Sequence, residues 1–150
     1  MHVGATAPDF TLPDETGAER SLSILLVDGP VVLFFYPAAM TSGCTAESCH
    51  FRDLAAEFRE LGARRVGISP DGVGKQATFA STHGLDFPLL SDSDRAVAQQ
   101  FGVRRRFGPL PTKRQTFVID TDRTLLAAIR SEVRMNAHAD RALRTLRERQ

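Results

Sequence analysis

The 150-residue sequence has no tryptophan, one tyrosine and only two cysteines, Cys44 and Cys49. Two cysteines cannot build the disulfide framework on which small secreted domains depend. A chain of this length needs none, because it buries about 68–70% of the surface its unfolded form exposes. No apolar run approaches the roughly 18 residues of a membrane-spanning helix, and Met1 to Asp9 lack a basic segment followed by an apolar one. The expectation is a cytoplasmic protein, away from membranes, whose cysteines are reduced. An excess of one charge is also missing, since the net charge is +1. The balance conceals an asymmetry: residues 1–103 carry 7 basic and 13 acidic side chains, residues 104–150 carry 12 and 5. Arg104-Arg105-Arg106 is a short basic run without interleaved aromatics, so nucleic acid is not an expected partner. What is present, 42% hydrophobic and 25% charged residues, is a globular composition. With no repeat, low-complexity tract or long linker, residues 1–150 read as one domain.

Strand and helix patterns alternate along the chain. Val31 to Tyr36 is an unbroken apolar run closed by Pro37, the signature of a strand buried on both faces. From Thr45 to Leu61, Phe51, Leu54, Ala55 and Phe58 recur at helical spacing up to Gly62, which predicts one amphipathic helix. Arg65 to Ser69 reads as a strand, Lys75 to His83 as a helix stopped by Gly84, and Pro88 to Leu90 as a short strand. Ser93 or Asp94 is placed to cap a helix running to Phe101. Gln115 to Asp120 and Thr124 to Ile129 form a hairpin, and Ala139, Ala142, Leu143 and Leu146 mark a final amphipathic helix. A βαβ unit followed by a hairpin and a helix predicts an α/β sandwich with a central mixed sheet, most like the thioredoxin arrangement. Residues 1–30, with Phe10 to Leu12, a turn at Asp14 to Gly17 and Arg20 to Leu22, read as a β-hairpin added before that core.

The strand Val31–Tyr36 leads through Pro37 to Gly43 into Cys44 at the predicted helix start. Unpaired backbone N–H groups and the positive end of the helix dipole converge there and favour a thiolate, the nucleophilic form. Ionisation alone gains about tenfold over an ordinary thiol at neutral pH, part of it offset by reduced nucleophilicity. Greater acceleration needs donors aimed at the oxygens of a breaking O–O bond. Thr41, three residues before Cys44, offers a hydroxyl, unless it serves only as helix cap or turn residue. Cys49 follows Cys44 by five residues, so in a regular helix their Cα atoms stand about 8.6 Å apart, beyond the ~7 Å limit of a disulfide. A Cys44–Cys49 bond therefore requires the helix start to unwind, an order–disorder step driven by redox chemistry. Cys49 as an inert buried thiol is the alternative.

Phe35 to Cys49, reading Phe-Tyr-Pro-Ala-Ala-Met-Thr-Ser-Gly-Cys-Thr-Ala-Glu-Ser-Cys, resembles the active-site segment of the peroxiredoxins. Pro-x-x-x-Thr-x-x-Cys is the family signature, and Cys-Thr-x-Glu-x-Cys is similar to the bacterioferritin-comigratory-protein, or peroxiredoxin Q, subfamily. Gly4 to Phe10, Gly67 to Asp71, Phe87 to Asp92 and Arg114 to Asp120 extend the likeness over all but the last ~20 residues. The resemblance implies Cys44 as peroxidatic cysteine and Cys49 as resolving cysteine. It implies Thr41 and Arg114 as hydrogen-bonding and charge partners of Cys44, and Pro37 as a shield against bulk water. Glu47 matches a subfamily position and either orients Arg114 or is a solvated first-turn carboxylate. Ser42 stands where the subfamily often has proline, and Ala38-Ala39-Met40 replaces a more polar stretch. Arg104 to Pro111 reads as a basic loop beside the site, with Phe107 and Leu110 as its apolar cover.

The expected activity is a thiol-dependent peroxidase recycled by thioredoxin or a similar dithiol, using no cofactor and no metal, in a chain more often monomeric than dimeric. Three other readings compete. A one-cysteine peroxidase makes no use of Cys49. A general dithiol–disulfide oxidoreductase usually relies on Cys-x-x-Cys, which is absent. A metal-binding sensor built on Cys44, Cys49 and His50 lacks paired ligand spacing, and His2, His83 and His138 are scattered.

Overall fold

The computed structural model describes residues 1–105 and 112–149. Near the start, β1 (Thr11–Pro13) and β2 (Glu19–Ser21) pair antiparallel as the anticipated hairpin. One carboxylate holds its turn: Asp14 accepts from Thr16 N–H, the Thr16 hydroxyl, Ala18 N–H and Arg20 Nε. The hairpin is not the whole extension. Leu22–Leu25 form a helical turn, α1, which passes into a 3-10 turn at Leu26–Asp28. These elements are too short to carry a periodic signal, but they bury Leu22, Leu25 and Leu26 against the sheet.

The main sheet is mixed. It contains β3 (Val31–Phe35), β4 (Arg64–Ser69), β5 (Leu89–Ser91), β6 (Gln115–Ile119) and β7 (Leu125–Arg130), in spatial order β5-β4-β3-β6-β7. β3 runs parallel to β4 and antiparallel to β6. The pleat sends Val31, Leu33 and Phe35 to one face and Val32 and Phe34 to the other. Both faces are covered, which is why the run is apolar throughout. The first face packs on the N-terminal segment and on α5 (Ala96–Gln100). The second packs on α2 (Ser42–Asp53), α3 (Ala55–Glu60), α4 (Val73–His83) and α6 (Met135–Arg149).

Two predicted helices differ in detail. The single helix expected over Thr45 to Leu61 begins earlier, at Ser42, and is interrupted at Leu54, whose φ of −98° and ψ of +21° leave the helical range. Arg65 explains the interruption: its Nη1 donates at 2.9 Å to the carbonyl of Phe51, which an unbroken helix would offer to the N–H of Ala55. α5 is capped from further back than Ser93 or Asp94. The Asp92 carboxylate accepts from the N–H groups of Val97 and Ala98, while Asp94 reaches only Ala96.

Candidate active site

Between β3 and α2 the chain turns through Tyr36 to Thr41, and buried polar bonds hold that turn to the neighbouring strand. Asp71 Oδ2 accepts the N–H of Ala39 at 2.6 Å and the hydroxyl of Ser69 at 2.8 Å. Ser69 also accepts from the amide of Gln76, whose oxygen receives the Tyr36 hydroxyl at 2.6 Å. Met40 adopts a φ of +69°, unusual for a side-chain-bearing residue, and Thr41 returns to extended backbone at the N-cap of α2. The Thr41 hydroxyl neither caps the helix nor reaches Cys44; it donates to the carbonyl of Ala38 at 2.7 Å. Pro37 is buried on the inner side of the turn.

Cys44 is the third residue of α2, with its side chain wholly enclosed. Glu47, one turn further on, shares its face. Both meet Arg114, which immediately precedes β6 and is brought beside them because Gln115 pairs with Phe35 at the end of β3. Arg114 Nη2 lies 3.2 Å from Cys44 Sγ, and Nη1 lies 2.8 Å from Glu47 Oε1. Gly43 makes room for this: a Cβ there would stand 3.3 Å from Arg114 Nη2 and 3.6 Å from Met135 Sδ.

Glu47 is 0% exposed, so the solvated-carboxylate alternative does not apply. Burial pushes its carboxyl up to about 8 against the opposing pull of Arg114. Burial works against the Arg114 charge as well, but Glu47 and Cys44 outweigh it and hold the guanidinium above its ordinary value. Behind Glu47 stands a residue met above only as one of several scattered histidines. His138 of α6 is also 0% exposed, with Nδ1 3.5 Å from Glu47 Oε2 and 2.8 Å from the Thr116 hydroxyl, and Nε2 2.8 Å from the carbonyl of Ser131. Burial holds its ring below the usual histidine value. A neutral ring then donates from Nε2 to the carbonyl and leaves Nδ1 as an acceptor, facing the Thr116 hydroxyl and Glu47 Oε2.

Cys49 is partly exposed, lies within the same helix, and like Cys44 is a free thiol. His50 pairs through Nε2 with Asp140 at 2.8 Å and ties α2 to α6. Among the described residues no three His, Cys, Asp or Glu side chains converge on a common point, and no helix is long and apolar enough to cross a membrane. Of the basic loop, Arg104 bonds Gln99, and Arg105 bonds Glu132, which also accepts the backbone N–H of Arg114. Residues 106–111, including the expected cover residues Phe107 and Leu110, lie outside the described residues.

The arrangement is a thiol at a helix start, one guanidinium shared between it and a buried carboxyl, and a turn fixed by side-chain bonds. Known proteins are similar to this chain over most of its length. The model of the AhpC/TSA family matches residues 3–128. A Mycobacterium tuberculosis protein named as a peroxiredoxin is 64% identical over 149 residues, covering 98% of this chain and 97% of its own. The chloroplastic peroxiredoxin Q of Sedum lineare is 40% identical over 144 residues, covering 95% of this chain and 76% of its own. The crystal structure of the peroxidoxin BcpB of M. tuberculosis superposes with a TM-score of 0.96 at 63% identity, over 100% of this chain and 99% of that one. The bacterioferritin comigratory protein of Xanthomonas campestris, a structure described for alkyl peroxide reduction, gives 0.87 at 30% identity, over 99% and 97%. The chain therefore belongs to the AhpC/TSA family and, within it, to the peroxiredoxins, thiol-dependent peroxidases that act on hydroperoxides.

Proposed function

We propose that Cys44 is the nucleophile and Cys49 the resolving thiol of a two-cysteine peroxidase cycle. The observation that carries this reading is the 3.2 Å approach of Arg114 to the Cys44 sulfur, with the other guanidinium nitrogen fixed on Glu47. The Cys44 thiolate attacks the terminal oxygen of a hydroperoxide. An S–O bond forms, the O–O bond breaks, and the departing oxygen takes a proton to leave as water or an alcohol. Arg114 is a fixed, always charged donor at the sulfur and favours negative charge both there and on the departing oxygen. Thr41, at the turn's outer edge, offers its hydroxyl oxygen to the bound hydroperoxide, and Pro37 keeps water from the inner side. The thiol of Cys49 then condenses with the Cys44 sulfenic acid, releasing water and forming the disulfide, and an external dithiol takes up that oxidation by exchange.

The last steps require movement, because residues five apart in an intact helix stand about 8.6 Å apart. The first turn of α2 unwinds when the disulfide closes. Thioredoxin or a similar dithiol is the reductant in this reading. The protein acts as a cytoplasmic monomer, and residues 1–150 form one folding unit.

The test is thioredoxin-coupled consumption of hydrogen peroxide by wild type, Cys44→Ser and Cys49→Ser, with mass analysis after one equivalent of oxidant and far-ultraviolet circular dichroism of both redox forms. The expected outcome is no activity in Cys44→Ser, a trappable sulfenic acid in Cys49→Ser, and an intramolecular disulfide with reduced helical signal in wild type. Normal thioredoxin-supported turnover by Cys49→Ser would make this a one-cysteine enzyme. Identical dichroism of the two redox forms would remove the unwinding step.

A further inference from the structure

One oxygen in the site is conspicuously unserved. Glu47 Oε1 is bonded to Arg114, but Oε2 is buried and has no hydrogen-bond partner among the described residues, a costly arrangement for a carboxylate. The polar atom it faces is His138 Nδ1, 3.5 Å away on α6. His138 lies beyond residues 3–128, the span matched by the family model.

Charge counting sharpens the point. Arg114 is the cation that contacts both acids. If the Cys44 thiolate and the Glu47 carboxylate both exist, two negative charges share one guanidinium in a place without water to screen them. One proton on the Glu47–His138 pair removes the excess. On Oε2 it points toward Nδ1; on Nδ1 it lies between the Thr116 oxygen and Oε2. Both placements give the pair the same total charge. The surrounding groups are Cys44 on α2, Arg114 ahead of β6, Glu132 ahead of α6 and Arg141 on α6. Glu132 raises the proton affinity of both members, whereas Arg114 lowers it and Arg141 lowers that of the ring.

We propose that His138 is a positioning residue for the peroxidase reaction: with Glu47 it holds one proton between Nδ1 and Oε2, leaving the charge of Arg114 available to the Cys44 thiolate and the departing oxygen. The proton stays on the pair throughout the reaction. The inference rests on Cys44 as the nucleophile and deepens that reading.

The experiment is the pH profile of Cys44 oxidation by hydrogen peroxide, followed by rapid mixing in a Cys49→Ser background, with and without His138→Asn or Glu47→Gln. The rate declines above about pH 8, where Glu47 loses its proton, approaching about tenfold per pH unit. In His138→Asn the amide donates to Oε2 and favours the carboxylate, so the decline moves about one pH unit lower, a tenfold loss of proton affinity. In Glu47→Gln the decline disappears, because nothing is left there to titrate.

A second measurement needs no altered side chain at the pair. The imidazole nitrogen NMR shifts of His138 in wild type should change with the same midpoint as the decline in rate. An unmoved decline in folded His138→Asn, a retained decline in Glu47→Gln, or His138 shifts flat across that range would each overturn the proposal. Peroxide consumption by Cys44→Ser would instead strike the assignment of the nucleophile.

Discussion

At the scale of single residues, the site depends on how much charge one arginine can serve. Glu47 titrates near 8 in the fold against 4.5 when free, so the folded state binds its proton more tightly across that interval. His138 is shifted the other way, below 6.5. Stability that depends on protonated Glu47 is present at low pH and lost as pH rises toward 8. Stability that depends on neutral His138 is present above 6.5 and lost as pH falls. The two oppose each other just below 6.5, and of the two only the Glu47 contribution changes between 6.5 and 8. The thermal midpoint of wild type should therefore decline over that upper window, and in Glu47→Gln it should stay flat. A wild-type midpoint that rises there would contradict the buried, protonated carboxyl. The meeting of Cys44 with Arg114 was legible because the two fall within a recognisable motif and its distant partner, whereas the Thr41 hydroxyl, expected at Cys44, goes to the carbonyl of Ala38. His138 was not legible, since a lone histidine among Ala139, Ala142 and Leu143 reads as ordinary core. Its partners Thr116 and Glu47 come from other elements, and no local pattern announces them.

At the scale of elements, the turn before α2 is held from the side. Asp71 receives the Ala39 N–H and the Ser69 hydroxyl on one oxygen and faces Lys75 Nζ at 3.3 Å on the other. Replacing it by alanine frees the turn while leaving both hydrophobic clusters intact. Asp71→Ala should slow Cys44 oxidation roughly tenfold through lost orientation, with no more than a few degrees' change in thermal midpoint. A full-rate Asp71→Ala would show that the turn needs no tether. Strand positions were legible almost to the residue because β3 is apolar on both faces, β6 is rich in β-branched and aromatic residues, and both are bounded by clear breaks. The interruption of the long helix was hidden. Phe51, Leu54 and Phe58 keep helical spacing across it, and its cause is a hydrogen bond from Arg65, a residue of the next strand.

At the scale of the whole molecule, one strand supports two cores. Phe34 stacks on Phe51 of α2 at 4.3 Å between ring centres and meets Phe87 edge-on at 5.6 Å. Phe35, its neighbour, packs against Phe101 and Phe117 on the opposite face. Phe34→Ala should cost about 3–5 kcal/mol, read as a lower midpoint in urea with the transition still single if residues 1–150 fold as one unit. Two transitions would instead separate the faces. The architecture was legible because alternation of strand and helix leaves few ways to build a sheet. The short turn over Leu22–Asp28 was not, because its placement is decided by the groove it fills.

The hydrogen bond from Arg65 to Phe51 has a further consequence. A catalyst that undoes part of its own helix on each cycle exposes itself repeatedly to misfolding. With the helix already severed at Leu54, the damage has a firebreak: α3 and the strand beneath it do not share the backbone ladder that melts. If the proposed cycle operates, wear from repeated oxidation falls on the start of α2 and stops at the break at Leu54.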